Sequence, residues 1–131
     1  MRRLIFKLLF AVLVIVPVIK GSANFINQKM IQKETKQNYV LLNNNTKKDK
    51  IILFYRDDCP ACQSVFKTLY LHNMVWHNVL MVNLNEPHNR SYISEYALQS
   101  VPTIMVGDHQ YSGTDSDKIK QIMKQGAQFW E

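Results

Sequence analysis

At 131 residues, the chain has room for one domain with a hydrophobic core and is too short for two ordinary domains. Four of its 16 basic residues lie in the first twenty positions, so the formal net charge of +6 falls to +2 for the remainder. No basic stripe interleaved with aromatic residues appears, and the charge therefore gives no support to nucleic-acid binding.

The first 23 residues have the three parts of an export signal. A basic start at residues 1–3 is followed by a mostly apolar stretch at residues 4–19 and by a small-residue end at residues 21–23. The apolar stretch approaches the roughly 20 residues that a helix needs to cross a bilayer, so cleavage as a signal peptide and retention as a membrane anchor are both open. Either outcome predicts an extracytoplasmic domain, secreted or anchored to the membrane through residues 4–19.

Residues 24–50 are polar and rich in asparagine. We interpret residues 24–29 as a linker and residues 30–131 as the folded domain. A short strand is predicted near residues 30–32 and a helix near residues 35–44, followed by a turn at the asparagine run that ends at Asn45.

Strands and helices alternate through the rest of the chain. The apolar patterns predict strands at 51–55, 79–84, 103–106 and 109–112, and helices at about 59–73, 90–97 and 115–125. The long connection between the first two strands implies parallel pairing, and the Gly107-Asp108 turn predicts a hairpin for the last two. We therefore expect an α/β fold with a central mixed β-sheet flanked by helices, preceded by an N-terminal apolar helix.

The only two cysteines stand at the junction of the first of these strands and the helix that follows, as Cys59-Pro60-Ala61-Cys62. This spacing permits three uses: a catalytic dithiol, half of a metal site, or a structural disulfide. Proline suits the first position of a helix, because its missing N–H has no partner there.

The flanking charges affect the chemistry of this pair. The positive end of the helix dipole stabilises a thiolate at Cys59, whereas Asp57 and Asp58 disfavour it and Arg56 offsets one of them. We expect the helix N-terminus to dominate. Cys62, one turn further along, is expected to be more buried and to stay protonated until it resolves a mixed disulfide.

The cysteine motif after a buried strand, together with Val101-Pro102-Thr103 at the entry to a hairpin some forty residues downstream, resembles the thioredoxin superfamily over about residues 30–125. Among its members, the chain is most similar to the small exported or membrane-tethered thiol-disulfide oxidoreductases of bacteria. The resemblance implies a thioredoxin-like fold with a cis Val101–Pro102 bond beside Cys59. It also implies catalysis by Cys59 and Cys62, supported by Pro60, Ala61, Val101, Pro102 and Thr103.

This family resemblance also implies partners. The expected substrates are thiols or disulfides of exported proteins, recharged by an unidentified redox partner, with no cofactor and no metal. The direction of electron flow is open between reductase, oxidase and isomerase.

Two positions depart from thioredoxin itself. Asp58 stands where thioredoxin has a tryptophan, and Leu53 stands where it has a buried acid that serves proton transfer to the second cysteine. Water or a neighbouring side chain must therefore take the proton from Cys62.

Two alternatives to an enzyme stay open. A copper- or zinc-binding chaperone module would need two ligands besides the cysteines, and the four histidines at positions 72, 77, 88 and 109 are the candidates. A non-catalytic interaction domain would keep the thioredoxin fold with an inert disulfide, although a loop this short contributes little chain entropy.

Overall fold

The computed structural model describes residues 39–127 continuously and, before them, residues 7, 15, 17, 21, 22, 25, 26 and 28–30. Most of the predicted signal or anchor segment therefore lies outside the described residues, and the N-terminal apolar helix stays a prediction. Within the part of the chain that is described, no helix is both long and apolar enough to cross a membrane.

Helices and strands alternate from residue 44 onwards. They are α1 (Asn44–Asp49), β1 (Ile51–Tyr55), α2 (Pro60–Trp76), β2 (Val79–Asn83), a 3₁₀-helix (Pro87–Asn89), α3 (Ser91–Glu95), β3 (Thr103–Val106), β4 (His109–Ser112) and α4 (Ser116–Ala127). The four predicted strands are confirmed, with β2 ending one residue early. Helix α2 runs past its predicted end to Trp76 and stops where His77 adopts a left-handed conformation.

The strands form one mixed sheet in the order β2-β1-β3-β4. Strand β1 pairs in parallel with β2 and antiparallel with β3, which forms the predicted hairpin with β4. The α/β architecture expected from the sequence, a mixed sheet flanked by helices, is thereby confirmed. Because β1 and β2 are parallel, the segments that follow both strands leave the sheet at the same edge.

Both faces of β1 are covered, which explains why all five of its residues are apolar and buried. Leu53 and its same-face neighbours pack with Phe66 of α2 and Ile119 of α4. Phe54 faces the other side of the sheet, where its ring lies 5.3 Å from the ring of Tyr96. The cysteine-bearing helix is therefore fixed to the first of these faces.

The helix predicted at residues 35–44 is wrong over its described part, because residues 39–43 form no helix. Side chains from elsewhere take their backbone hydrogen bonds: the Tyr92 hydroxyl donates to the Val40 carbonyl at 2.8 Å and accepts from the Leu42 N–H at 3.1 Å. Asn89 Oδ1 accepts from the Val40 N–H at 3.2 Å. These distant partners replace the intrahelical bonds that a helix would supply.

The predicted turn at the asparagine run is instead the start of α1. The Asn43 side chain accepts hydrogen bonds from the N–H groups of Asn45 and Thr46, and the Thr46 hydroxyl accepts from the Asn43 N–H. This reciprocal capping box satisfies the free donors at the helix N-terminus.

The short strand predicted near residues 30–32 is wrong at the one described residue, since Met30 is helical and packs against the core cluster on the α2 face of the sheet. An apolar pair this short cannot distinguish a strand from a helix by its periodicity.

Candidate active site

The cysteine motif lies where β1 gives way to α2. Cys59 is the N-cap of α2, and its sulfur accepts a hydrogen bond from the Cys62 N–H at 3.2 Å. Pro60 and Ala61 are exposed in the first turn, where proline has no N–H to leave unpaired. The fold thus directs the positive end of the α2 dipole at the Cys59 sulfur.

The two cysteines are reduced and differ in exposure. Cys59 is half-buried, whereas Cys62 has no solvent exposure. The Cys62 thiol donates a hydrogen bond to the Cys59 sulfur across 2.6 Å. A substrate sulfur can therefore reach Cys59 from solvent, and Cys62 is in place behind it.

Burial raises the pKa of the Cys62 thiol to about 12, and its hydrogen bond to Cys59 adds to this increase. Loss of the proton would leave a negative sulfur in an apolar cluster that includes Leu53 and Phe66. Cys62 is therefore a neutral thiol at physiological pH.

No carboxylate lies in the described part of the core. The buried polar residues there are Asn78, Asn83, Asn89 and Thr103, and Leu53 is fully buried at the position of thioredoxin's acid. The proton of Cys62 consequently has the Cys59 sulfur as its partner and no buried carboxylate to receive it.

A polar network lies beside the motif. Arg56 donates two hydrogen bonds to the Asp58 carboxylate, at 3.0 and 2.7 Å, and a third to Asn85 Oδ1 at 3.0 Å. The Asn85 amide also donates to Asp58 and to Asp57. Hydrogen bonds from Asn85 and Arg56 lower the pKa of Asp58, and the Asp58 partner raises the pKa of Arg56.

The pairing of Arg56 with one of the aspartates was expected from the sequence, whereas the contribution of Asn85 was not. A signal was available, because Asn85 follows β2 just as Arg56 follows β1, and the ends of adjacent parallel strands share one edge of the sheet. Asp58 is thus charged but directed at Arg56 and Asn85.

The Val101–Pro102 bond is cis, as the family resemblance implied. Thr103 pairs with Phe54, and one further step in this register sets Pro102 opposite Tyr55, at the end of β1 from which the chain leads to Cys59. The structure therefore brings the proline and the cysteine motif to one edge of the sheet.

Two hydrogen bonds fix the proline loop, one from a residue of β3 and one from the residue that follows β4. The buried Thr103 hydroxyl donates to the Ser100 carbonyl at 2.6 Å, and the Gly113 N–H donates to the Pro102 carbonyl at 3.2 Å. Val101 is half-buried and Pro102 is buried. All seven predicted site residues thus lie at this edge, while their catalytic and supporting roles stay predictions.

Two of the histidines considered as metal ligands contact side chains other than the cysteines. His72 stacks on Trp76, with ring centroids 6.2 Å apart, and His88 pairs with Glu86 at 3.0 Å. In the described ranges, no group of three or more His, Cys, Asp or Glu side chains could hold a metal ion. A tetrahedral site requires four ligands, and the described residues bring no third or fourth ligand to Cys59 and Cys62.

Comparisons with known proteins agree with this architecture. The family model described as Thioredoxin matches residues 30–125. Among curated proteins, no sequence matches the chain.

Several solved structures share the fold. Thioredoxin O2 and thioredoxin O1 of Arabidopsis thaliana, both in the oxidized state, are 17% and 20% identical, with TM-scores of 0.51 and 0.52. Each alignment covers 63% of this chain, and 81% and 84% of the respective thioredoxin. Fasciola hepatica thioredoxin, 14% identical, gives a TM-score of 0.52 over 63% of this chain and 86% of its own.

Proposed function

The chain belongs to the thioredoxin family, and from that membership we propose that it is an extracytoplasmic thiol-disulfide oxidoreductase that exchanges disulfides with exported proteins. The observation that carries the proposal is the asymmetry of its thiol pair. Cys59 is accessible at a helix N-terminus, and Cys62 is buried 2.6 Å behind it.

In the reducing direction, the Cys59 thiolate attacks a substrate disulfide. A bond forms between the Cys59 sulfur and one substrate sulfur, the substrate S–S bond breaks, and the departing thiolate takes a proton from solvent. The N–H and S–H groups of Cys62 both point at the Cys59 sulfur, and they stabilise its negative charge before the attack.

Cys62 then resolves the mixed disulfide. It loses its proton, and its sulfur attacks the Cys59 sulfur. The bond between Cys59 and the substrate breaks, the Cys59–Cys62 disulfide forms, and the second substrate sulfur leaves as a thiolate that takes a proton from solvent. Two electrons have then passed from the dithiol to the substrate. Because Leu53 stands where thioredoxin has its buried acid, water or a neighbouring side chain takes the proton of Cys62.

The reverse sequence oxidises a substrate dithiol. Which direction prevails follows from the reduction potential of the Cys59–Cys62 pair relative to that of its compartment and of its redox partner. In either direction, the loop at Pro102 contacts the substrate backbone and shields the two sulfurs from side reactions.

The proposed extracytoplasmic location is supported by the pattern of residues 1–23, which predicts an export signal. Retention of residues 4–19 as an anchor would hold the domain at the membrane surface, where newly exported proteins emerge. The family resemblance to bacterial enzymes of this kind is consistent with such a position.

Insulin reduction and oxidative refolding of a reduced disulfide protein test the activity in both directions. We expect the full chain to catalyse at least one of these reactions and Cys59→Ser to catalyse neither. Lys48→Gln, an exposed change in α1, is the matched control and should retain activity. Equal behaviour of the wild type and Cys59→Ser in both assays would refute the enzyme and favour the non-catalytic interaction domain.

A further inference from the structure

A cavity of about 350 Å³ opens beside the cysteine motif. Its walls include two arginines and four aliphatic residues, namely Arg56, Arg90, Leu84, Ile93, Leu98 and Val101. This volume is at the lower end of the range for ligand pockets, so it suits one or two amino-acid side chains better than a cofactor.

Two wall residues connect the cavity to the cysteine motif and to the proline loop. The carbonyl of Arg56 accepts a hydrogen bond from the Cys59 N–H at 3.3 Å, and Val101 directly precedes Pro102. A side chain in the cavity would therefore belong to a polypeptide whose reactive sulfur lies at Cys59.

The described walls carry two guanidinium groups and no carboxylate. The charge of Arg56 is already balanced, because Asp58 binds it at 2.7 Å. Arg90 is exposed, and among the described residues its guanidinium donates one hydrogen bond, a long contact of 3.5 Å with the Asn85 carbonyl. It forms no ion pair with any described residue, so its charge can serve a ligand.

The remaining wall is apolar. Ile93 on α3 is 44% exposed, and it faces the same cavity as the half-buried Val101. An aliphatic or aromatic side chain placed here would remove apolar surface from water on both sides. The cavity thus combines a guanidinium that forms no ion pair with a described residue and an aliphatic wall that is partly exposed to solvent.

We propose that Arg90 selects polypeptide substrates that carry an aspartate or glutamate next to an apolar residue within a few positions of the reactive cysteine. The proposal rests on the proposed function, since selection by this cavity requires sulfur exchange at Cys59. Arg90 is here a specificity residue and takes no part in bond making.

Peptides with one cysteine activated as its 2-thiopyridyl disulfide test this selection. Attack by Cys59 on the peptide sulfur releases the uncharged thiopyridone, whose absorbance gives the rate constant. Three peptides share a leucine near the cysteine and differ at one further position, which is Glu, Gln or Lys. We expect the reduced full chain to react about two- to fivefold faster with the Glu peptide than with the Gln peptide, and slowest with the Lys peptide.

Two variants separate Arg90 from the overall charge of the protein. Arg90→Gln should remove the preference for Glu, whereas Lys48→Gln, which loses the same charge in α1, should retain it. Equal rates with all three peptides, a preference that persists in Arg90→Gln, or its equal loss in Lys48→Gln would overturn the role of Arg90 while leaving the oxidoreductase intact. Failure of the wild type to react with any peptide would overturn both proposals.

Discussion

Cys62 donates its thiol hydrogen to the sulfur of Cys59 across 2.6 Å from a position with no solvent exposure. One sulfur is thus available to a substrate, while the other is protected and holds the proton that stabilises negative charge on the first. In the described core no carboxylate accompanies this pair.

Substitution of Cys62 separates attack from resolution. Cys62→Ser retains a hydrogen-bond donor behind Cys59 but cannot displace a bound substrate, so mixed disulfides with exported proteins should accumulate. Non-reducing electrophoresis followed by mass spectrometry of the trapped species measures this. Cys59→Ser is the control and should trap nothing; absence of adducts from Cys62→Ser in the native host would contradict the two-step mechanism.

The stability of the reduced protein should depend on pH through Cys62. Its pKa is raised from 9.0 to about 12 by burial, so the fold favours the neutral thiol. This stabilisation is fully present below about pH 9 and is lost as the pH rises towards 12. We therefore expect the free energy of unfolding of the wild type to fall relative to that of Cys62→Ser over this window.

Denaturant titrations of both reduced proteins at several pH values measure the difference. Tyrosines and lysines titrate in the same range but are common to both proteins, so the comparison isolates Cys62. If the unfolding free energies of the two proteins changed equally with pH, burial of the Cys62 thiol would not be raising its pKa.

Arg56 should protect the reactivity of Cys59. The Arg56 guanidinium interacts favourably with a negative sulfur at either cysteine, whereas the Asp58 carboxylate disfavours a thiolate at Cys62. Arg56→Gln leaves Asp58 without its cation, and alkylation of Cys59 by iodoacetamide at neutral pH should slow by a few-fold. Asp58→Asn should accelerate it.

Lys120→Gln breaks a comparable surface ion pair, that with Asp117 at 3.2 Å, and serves as the matched control. Its alkylation rate should equal that of the wild type. A slower rate in both Arg56→Gln and Asp58→Asn would indicate that the network acts through loop structure and not through charge.

A side chain at position 113 should destabilise the protein. Its φ of 147° is rare for L-residues, and an added Cβ would lie 2.7 Å from the Tyr111 hydroxyl. We expect Gly113→Ala to lower the free energy of unfolding by about 1–3 kcal/mol and to disturb the Pro102 loop that Gly113 holds.

Gly107→Ala provides the comparison for Gly113. Its φ is 57°, but an added Cβ meets nothing within 4 Å, so only the backbone cost of about 1 kcal/mol applies. Denaturant unfolding of both variants measures the difference, and insulin reduction should be impaired in Gly113→Ala alone. If both variants lost the same unfolding free energy, the contact with Tyr111 would not explain the effect of Gly113→Ala.

The capping box of α1 should contribute measurably to stability. Asn43→Ala removes the acceptor for two helix N–H groups, at 3.0 and 2.9 Å, and should cost about 1 kcal/mol in unfolding free energy. Asn45→Ala changes an exposed position of α1 whose side chain makes no cap, and it should leave the unfolding free energy unchanged or raise it by a few tenths of a kcal/mol, because alanine favours the helix more than asparagine does. A comparable loss in both variants would contradict the cap.

Local patterns in the sequence determined much of this protein. The apolar run 51–55 predicted a strand covered on both faces, and Ile51–Tyr55 is fully buried between helices. The strand, helix and strand sequence predicted the parallel pair of β1 and β2, and Gly107-Asp108 predicted the hairpin. Such features are visible in sequence because hydrophobic periodicity and turn residues act over a few neighbouring positions.

Only the tertiary structure decided where distant segments supply hydrogen bonds and charge. The Tyr92 hydroxyl keeps residues 39–43 out of a helix, Asn85 completes the Arg56–Asp58 network, and Arg90 joins Val101 around the cavity. Each depends on residues that are far apart in sequence and meet only when β1, β2 and the loop before β3 assemble. Helix and strand propensities and hydrophobic periodicity do not predict these tertiary contacts, because they report local geometry and burial alone.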